Sequence, residues 1–202
     1  MNEQHYLVPL QNDGFEKDIT HAVTAKTVED AEDWFVDAKE RLLDVNNWEK
    51  YAPTISAEFR LADNHGKGLK RSARRYDHIR IDIPGTVSST PGGFDWATIE
   101  VIEYDDYPDD STETFALRIR PSEHPQYKTT DGQDLFLDAN ASSTFVITRQ
   151  GKSLFAAYHG RNEPAHSYAV ANGGHEDSEP TYNGWLGLSD TQWADLMKGL
   201  LK

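Results

Sequence analysis

Two stretches of the chain place their apolar residues at the spacing of an α-helix. The first follows Thr27-Val-Glu-Asp30, in which a hydroxyl residue and an acid three positions later match a capping box. The second follows Ser189-Asp-Thr-Gln192, which matches the same pattern. The apolar positions are Ala31, Trp34, Phe35, Ala38, Leu42 and Val45 in the first stretch, and Trp193, Leu196, Met197, Leu200 and Leu201 in the second. We predict two amphipathic helices, and a short helix or tight connection over 44–53.

Between these helices, apolar and polar residues alternate with a period of two, which is typical of half-buried strands. Turn clusters such as 63–68 and prolines such as Pro121 mark where the strands end. The predicted strands cover 55–61, 79–83, 94–103, 115–119, 142–149 and 153–160, and 14–25 is a candidate first strand. Six strands in a row favour an antiparallel meander over a doubly wound parallel sheet.

This order of elements predicts an α+β protein. We expect a curved antiparallel sheet of about six to seven strands that packs on the C-terminal helix. A chain of 202 residues can bury roughly 70% of its unfolded surface, which is enough for one sizeable core. We therefore expect one domain over 1–202.

The order of elements also resembles the START-type helix-grip superfamily, which includes lipid-transfer domains and polyketide cyclases. The resemblance is carried by Trp34-Phe35 on the first helix and by Asn47-Trp-Glu-Lys-Tyr-Ala-Pro53 before the second strand. It implies a sheet curved around the terminal helix, with an elongated cavity for an apolar or aromatic ligand. In addition, 79–85 with 93–96, and 185–193, resemble a bacterial family to which no activity is attached.

Two features depart from the helix-grip pattern. The terminal helix is short and follows the Gly-rich stretch 172–177, and the connections 84–93 and 121–134 are long. A small, blocked or absent cavity is therefore an alternative to an open one.

The leading hypothesis for function is noncatalytic binding of a small apolar or amphipathic ligand between the sheet and the helix. It rests on the analogy of fold, and one fold hosts many functions. Aromatic residues at helix or strand period are mostly core residues, which is the alternative for each of them. The candidate ligand-binding residues are Trp34, Phe59, Ile81, Trp96, Phe115, Leu117, His159, Trp193 and Met197.

Composition restricts the partners. The chain has 34 acidic and 20 basic residues, a net charge of −14, and no cysteine. Such a charge repels nucleic acid and anionic lipid over most of the surface. Without cysteine there are no disulfides and no thiolate zinc sites. The sequence shows no 18-residue apolar run and no secretory signal, so we expect a cytoplasmic protein that is not inserted in a membrane.

One segment contradicts the overall charge. Residues 67–80 contain six basic residues and one acid. Arg71, Arg74 and Arg75 in this basic strip are candidates for an anion site, because guanidinium groups bind oxyanions in pairs of hydrogen bonds. The alternative is a solvated strand face whose cations pair with Glu58, Glu100 and Glu103.

Candidate metal and catalytic groups are fewer. Acids over 105–110 could hold a hard cation, and His159, Glu163 and His166 could form a loop site, but a solvated turn is the favoured interpretation. No nucleophile elbow, Walker loop or dinucleotide motif is present, and we expect no cofactor and no metal. Two further hypotheses stay open: a cyclase- or hydrolase-like enzyme that uses a pocket acid or His78 or His159, and a noncatalytic scaffold that binds an acidic partner.

Overall fold

The computed structural model describes residues 7–84, 93–127, 140–163 and 186–202. In these residues the chain forms seven strands and three α-helices. In chain order they are β1 (Phe15–Thr24), α1 (Val28–Leu43), α2 (Trp48–Tyr51), β2 (Glu58–Ala62), β3 (His78–Asp82), β4 (Asp95–Tyr107), β5 (Thr112–Ser122), β6 (Ser142–Gln150), β7 (Ser153–Glu163) and α3 (Asp190–Leu200).

All strands belong to one antiparallel sheet with the order β1-β7-β6-β5-β4-β3-β2. The chain crosses from one edge strand, β1, to the other, β2, through α1 and α2, and then returns strand by strand to β7. Shifts of register near Phe15 and between Ile99 and Val101 bend β1 and β4. The terminal helix α3 contacts β1, β7, α1 and α2. The α+β prediction is confirmed: a seven-stranded antiparallel sheet packs on the C-terminal helix.

The core lies on the inner face of the sheet, which we define as the face covered by α1 and α3. Because side chains alternate along a strand, Phe59 of β2, Ile79 and Ile81 of β3 and Phe145 of β6 point inward. The outer face carries the residues between them. Part of it is covered by the segment before β1, where Leu7 packs on Ala116 and Val146.

The helix signals in the sequence act as predicted. Thr27 Oγ1 accepts a hydrogen bond of 3.0 Å from the Asp30 backbone N–H and caps α1. Ser189 and Gln192 form both bonds of a capping box at the start of α3. Residues 44–53 contain a 3-10 turn, Val45–Asn47, followed by α2, as one of the two alternatives predicted.

Several predicted strand boundaries were wrong, and three of them change the interpretation of named residues. β2 begins at Glu58 and not at 55, because the Ile55 N–H closes a turn on the Ala52 carbonyl. β4 extends to Tyr107, so Asp105 and Asp106 lie in a strand and not in a turn. β5 continues past Pro121, which lies beyond the last residue pair that β5 makes with β6.

No helix of the described ranges is both long and apolar enough to cross a membrane. Several predicted features lie outside the described residues. These are most of the connections 84–93 and 121–134, the Gly-rich stretch 172–177, His166 and Trp185.

Candidate ligand-binding site

Five aromatic rings lie between the inner face of the sheet and the helices. Trp48 lies 5.1 Å from Phe59 and 5.1 Å from Phe145, measured between ring centroids. Phe145 in turn contacts Trp193 of α3 at 5.6 Å, and Trp193 stacks on Tyr158 at 4.3 Å with 12° between the ring planes. All five are fully buried. This aromatic core occupies the region that the family resemblance assigned to a ligand.

A chain of hydrogen bonds lies at the border of the aromatic core, near the end of β7. The Tyr158 hydroxyl donates to Glu163 Oε1 at 2.9 Å and lies 3.0 Å from Ser143 Oγ. Glu163 is only 1% exposed. Its carboxylate folds over Gly160, where a Cβ atom would stand 2.3 Å from Oε1. The glycine therefore makes room for a buried acid.

Six of the nine predicted ligand-binding residues belong to the core: Phe59, Ile81, Phe115, Leu117, Trp193 and Met197. The other three do not line the interior. Trp34 is 40% exposed because its neighbour Phe35, which is 0% exposed, takes the inward position on α1. Trp96 is paired with Arg80 across β3 and β4, which places it on the outer face. These two placements correct the prediction of an interior lining.

His159 is the third correction. It follows the inward Tyr158 on β7 and therefore points to the outer face. There its Nδ1 lies 2.5 Å from Asp18 Oδ1, which also accepts a hydrogen bond of 2.8 Å from Arg161. His159 and Glu163 thus lie on opposite faces of the sheet and do not form the pair that a metal site or an acid–base site would need.

The acids over 105–110, considered as possible ligands of a hard cation, are also divided. Asp105 and Asp106 are consecutive strand residues, so their side chains leave the sheet on opposite faces. Among the described residues, no group of three or more histidine and carboxylate side chains could hold a metal ion.

A pocket of about 670 Å³ lies at the free edge of β2. Sites for small molecules usually have volumes of about 300–1,000 Å³. We call it the edge pocket and group its lining by chemistry. Apolar residues and glycines are Leu61, Ala62, Gly66, Gly68 and Leu69; neutral polar and acidic residues are Asp44, Asn46, Asn47 and Ser72; cations are Arg60, Lys70, Arg71 and Arg80.

The loop that follows β2 forms one wall of the edge pocket. Asp63 Oδ1 accepts hydrogen bonds from the backbone N–H groups of His65 and Lys67, which closes the predicted turn. The loop then returns along β2, where the Leu69 N–H donates to the Leu61 carbonyl at 2.8 Å. Backbone groups at the edge of the sheet are thereby satisfied within the chain.

Asn46 joins this wall to the turn between α1 and α2. Its Oδ1 accepts from the Leu61 N–H at 2.8 Å, and its Nδ2 donates to the Leu69 carbonyl at 2.8 Å. Next to it, Asp44 accepts from Asn47 Nδ2 at 2.9 Å and from the Tyr51 hydroxyl at 2.8 Å. Partial burial and the bond to Asp44 raise the pKa of Tyr51 to about 12.

The basic strip contributes to the edge pocket differently from the prediction. Arg71 lines the pocket and is held by two hydrogen bonds to Asp77, at 2.6 Å and 2.8 Å. Arg74 and Arg75 do not line it. The Arg74 N–H donates to Asp77, and Arg75 Nε donates to the Glu100 carbonyl, so both belong to the turn before β3.

The Glu100 carboxylate does not pair with a cation of the basic strip, as the alternative interpretation of the strip expected. The Glu100 carboxylate accepts from Arg118 at 2.8 Å and from Arg120 at 2.7 Å, both on β5. Sequence reasoning missed Arg60 and did not single out Arg80 as pocket residues. The alternation of apolar and polar residues in β2 and β3 placed both arginines on the outer face. It could not show that they are directly opposite each other, because the register between two strands depends on the tertiary structure.

Comparisons with known proteins find similar folds only. No family model matches the chain, and no curated protein matches it. Among solved structures, it is similar to the ginseng major latex-like protein 151 from Panax ginseng, at 12% identity over 93% of each chain with a TM-score of 0.38.

It is also similar to a truncated norcoclaurine synthase from Thalictrum flavum, at 9% identity over 76% of this chain and 81% of that one with a TM-score of 0.34. A third similar structure is protein Ms6760 from Mycobacterium smegmatis, at 17% identity over 77% and 76% with a TM-score of 0.34. These identities and TM-scores are too low for a function to pass from those proteins to this chain.

Proposed function

We propose that the chain binds a small amphipathic molecule, without catalysis, in the edge pocket. The observation that carries this proposal is a pocket of about 670 Å³ with an apolar wall, including Ala62 and Leu69, and a cationic wall, including Arg60 and Arg80. A ligand with an apolar part and a polar part would find a matching surface on each side.

The edge pocket is a better candidate than the interior beneath α3. There the rings of the aromatic core are already in contact with one another and occupy the space between the sheet and the helix. The apolar part of a ligand would have to displace well-packed rings, whereas the edge pocket accepts it without rearrangement.

Binding without catalysis fits the pocket lining better than an enzyme does. No histidine is among its described lining residues, and the carboxylate of Asp44 is engaged by Asn47 and Tyr51. A general base needs a titratable group within hydrogen-bond reach of a substrate. His78, one of the predicted bases, lies outside this lining, and its Nδ1 is 3.2 Å from Thr98 Oγ1.

Filling the pocket tests the proposal. A Cβ atom at Gly68 would meet nothing within 4 Å, so Gly68→Phe adds a ring at a residue that lines the pocket, without a backbone clash. The matched control is Ala22→Phe, at an exposed position of β1 on the opposite edge of the sheet. The probe is N-phenyl-1-naphthylamine, a neutral amphipathic dye whose fluorescence rises on binding.

We expect the natural chain and Ala22→Phe to bind the dye with equal affinity, and Gly68→Phe to lose binding. Native mass spectrometry of protein purified without denaturation should show a co-purifying small molecule with the same dependence on Gly68. If Gly68→Phe binds the dye as well as Ala22→Phe does, the edge pocket is not the binding site.

A further inference from the structure

Arg60 and Arg80 form a like-charge pair across two strands of the sheet. They are directly opposite each other in the antiparallel pairing of β2 with β3. Side chains in such a pair leave the same face with Cβ atoms about 4.5–5.5 Å apart, and like charges at that distance destabilise a sheet. Both arginines line the edge pocket. The sheet therefore concentrates positive charge at one wall of the pocket.

The two arginines are neutralised unequally. Arg60 is 2.7 Å from Glu58 and 3.5 Å from Glu49, and it also donates to the Asn46 carbonyl. Arg80 instead stacks on the Phe94 ring, with 4.3 Å between its guanidinium carbon and the ring centroid. Its Nε is buried and makes no hydrogen bond within the described part of the chain. A buried guanidinium donor without an acceptor is costly, and an anion would remove that cost.

We infer that the edge pocket binds the phosphate group of a phosphate monoester between Arg60 and Arg80, with Lys70 as a third cation. This inference rests on the proposed function, of which it names the ligand class. A monoester phosphate carries a charge of about −1.5 to −2 at pH 7 and three acceptor oxygens, so it can reach cations on two strands and a loop at once. A planar carboxylate is satisfied by one guanidinium alone.

The other charges at the pocket agree with this assignment. Arg71 is held by both oxygens of Asp77, and Arg60 is partly neutralised by Glu58 and Glu49, so Arg80 is the primary anchor for an anion. The one lining carboxylate, Asp44, is engaged by Asn47 and Tyr51. The ester's apolar part would lie against Ala62 and Leu69. The net charge of −14 repels anions at long range, so only a site with locally clustered cations can hold one.

Matched probes separate the phosphate from the apolar part of the ligand. Hexyl phosphate, 1-hexanol and inorganic phosphate are titrated calorimetrically into the natural chain and into Arg80→Gln and Arg74→Gln. Arg74→Gln removes the same charge from the basic strip but outside the pocket. Urea unfolding of each variant verifies that it folds.

We expect hexyl phosphate to bind the natural chain more tightly than hexanol does. Arg80→Gln should weaken hexyl phosphate by about ten-fold or more, as for the loss of a charge-assisted hydrogen bond, and should leave hexanol unchanged. Arg74→Gln should change hexyl phosphate by less than about two-fold, because exposed charges outside the pocket are screened by salt. Arg80→Lys, which keeps the charge, should retain part of the affinity.

Different outcomes overturn different claims. If hexanol binds as tightly as hexyl phosphate and Gly68→Phe blocks both, the pocket proposal stands and the phosphate inference is wrong. If phosphate binding depends on Arg80 but hexanol does not bind and Gly68→Phe has no effect, the anion site stands and the amphipathic pocket is wrong. If Arg74→Gln and Arg80→Gln weaken hexyl phosphate equally, the binding is nonspecific and the inference is wrong.

Discussion

The interior beneath α3 and the edge pocket use the same sheet in opposite ways. In the interior, apolar rings approach to centroid distances of 4.3–5.6 Å and stabilise the fold by removing their surface from water. At the edge, a wall of cations and a hydrogen-bonded loop border a pocket of about 670 Å³ that is open to solvent. Contact between aromatic side chains is stabilising, whereas contact between two opposed guanidinium groups is destabilising. The edge pocket therefore stays open where opposed cations, and not aromatic rings, form one of its walls.

This difference shows how far a fold-level resemblance extends. Topology places a helix over a curved sheet, and the structure has that arrangement. Whether a cavity remains beneath the helix depends on the volumes of individual side chains. Trp48, Phe145 and Trp193 are large enough to fill it here.

The largest effect should come from truncating the interior. Phe145→Ala removes a ring that contacts Trp48, Tyr158 and Trp193 at once. We expect it to lower the free energy of unfolding by about 3–5 kcal/mol, measured by urea denaturation. Where the variant is folded, hexyl phosphate affinity should stay within about two-fold of the natural chain, because the pocket lining does not include Phe145.

Trp34→Ala is the control for that loss. It also removes a large aromatic side chain, but from the exposed side of α1. We expect a change below about 1 kcal/mol, as for most surface substitutions. Equal losses from Trp34→Ala and Phe145→Ala would show that the aromatic core is not the main source of stability.

Two glycines show the same difference in backbone packing between the interior and the edge pocket. A Cβ atom at Gly199 of α3 would stand 1.9 Å from the Tyr51 carbonyl oxygen, whereas one at Gly68 would meet nothing within 4 Å. Gly199→Ala should therefore destabilise by about 1–3 kcal/mol through overpacking, although alanine favours helices by about 1 kcal/mol. Gly68→Ala should stabilise by about 0.4–1 kcal/mol, since it restricts the unfolded chain. A stabilising Gly199→Ala in the same urea measurements would contradict the close contact between α2 and α3.

The helices and most strands could be predicted from the sequence because their signals are local. The caps at Thr27 and Ser189 and the alternation in β3 need no knowledge of distant residues. The ends of β4 and β5 could not be predicted, because strand pairing continued through acids and through Pro121. Pairing partners are distant in sequence, so their stabilising effect leaves no local signal.

The candidate site was less predictable for the same reason. Arg71 could be selected by composition, but Arg60 and Arg80 become neighbours only through the register of β2 and β3. Trp34 and Phe35 are adjacent in sequence, and only the phase of α1 against the sheet decides which one is buried. Composition identifies the basic strip, but only the register of β2 and β3 places Arg80 of the strip opposite Arg60.

The smallest effect concerns Tyr51, which joins the two regions. Its hydroxyl donates to Asp44 of the edge pocket, and its carbonyl oxygen contacts the backbone at Gly199. Burial and the bond to Asp44 raise its pKa to about 12, above about 10 for an unfolded tyrosine. Because the pKa is higher in the folded state, this contribution to stability is complete below about pH 10 and is lost as the pH rises toward about 12.

We therefore expect Tyr51→Phe to reduce the fall in the free energy of unfolding between about pH 10 and 12. Urea denaturation at each pH measures this free energy. Tyr104→Phe is the matched control, because burial and a bond to Glu113 raise the pKa of Tyr104 to about 12 as well. Both variants should flatten the alkaline fall. At pH 7 only Tyr51→Phe should also weaken hexyl phosphate, by less than about ten-fold, because Asp44 loses a donor and repels the anion more strongly. An equal effect of Tyr104→Phe on hexyl phosphate would show that the hydrogen bond from Tyr51 to Asp44 has no specific part in anion binding at the pocket.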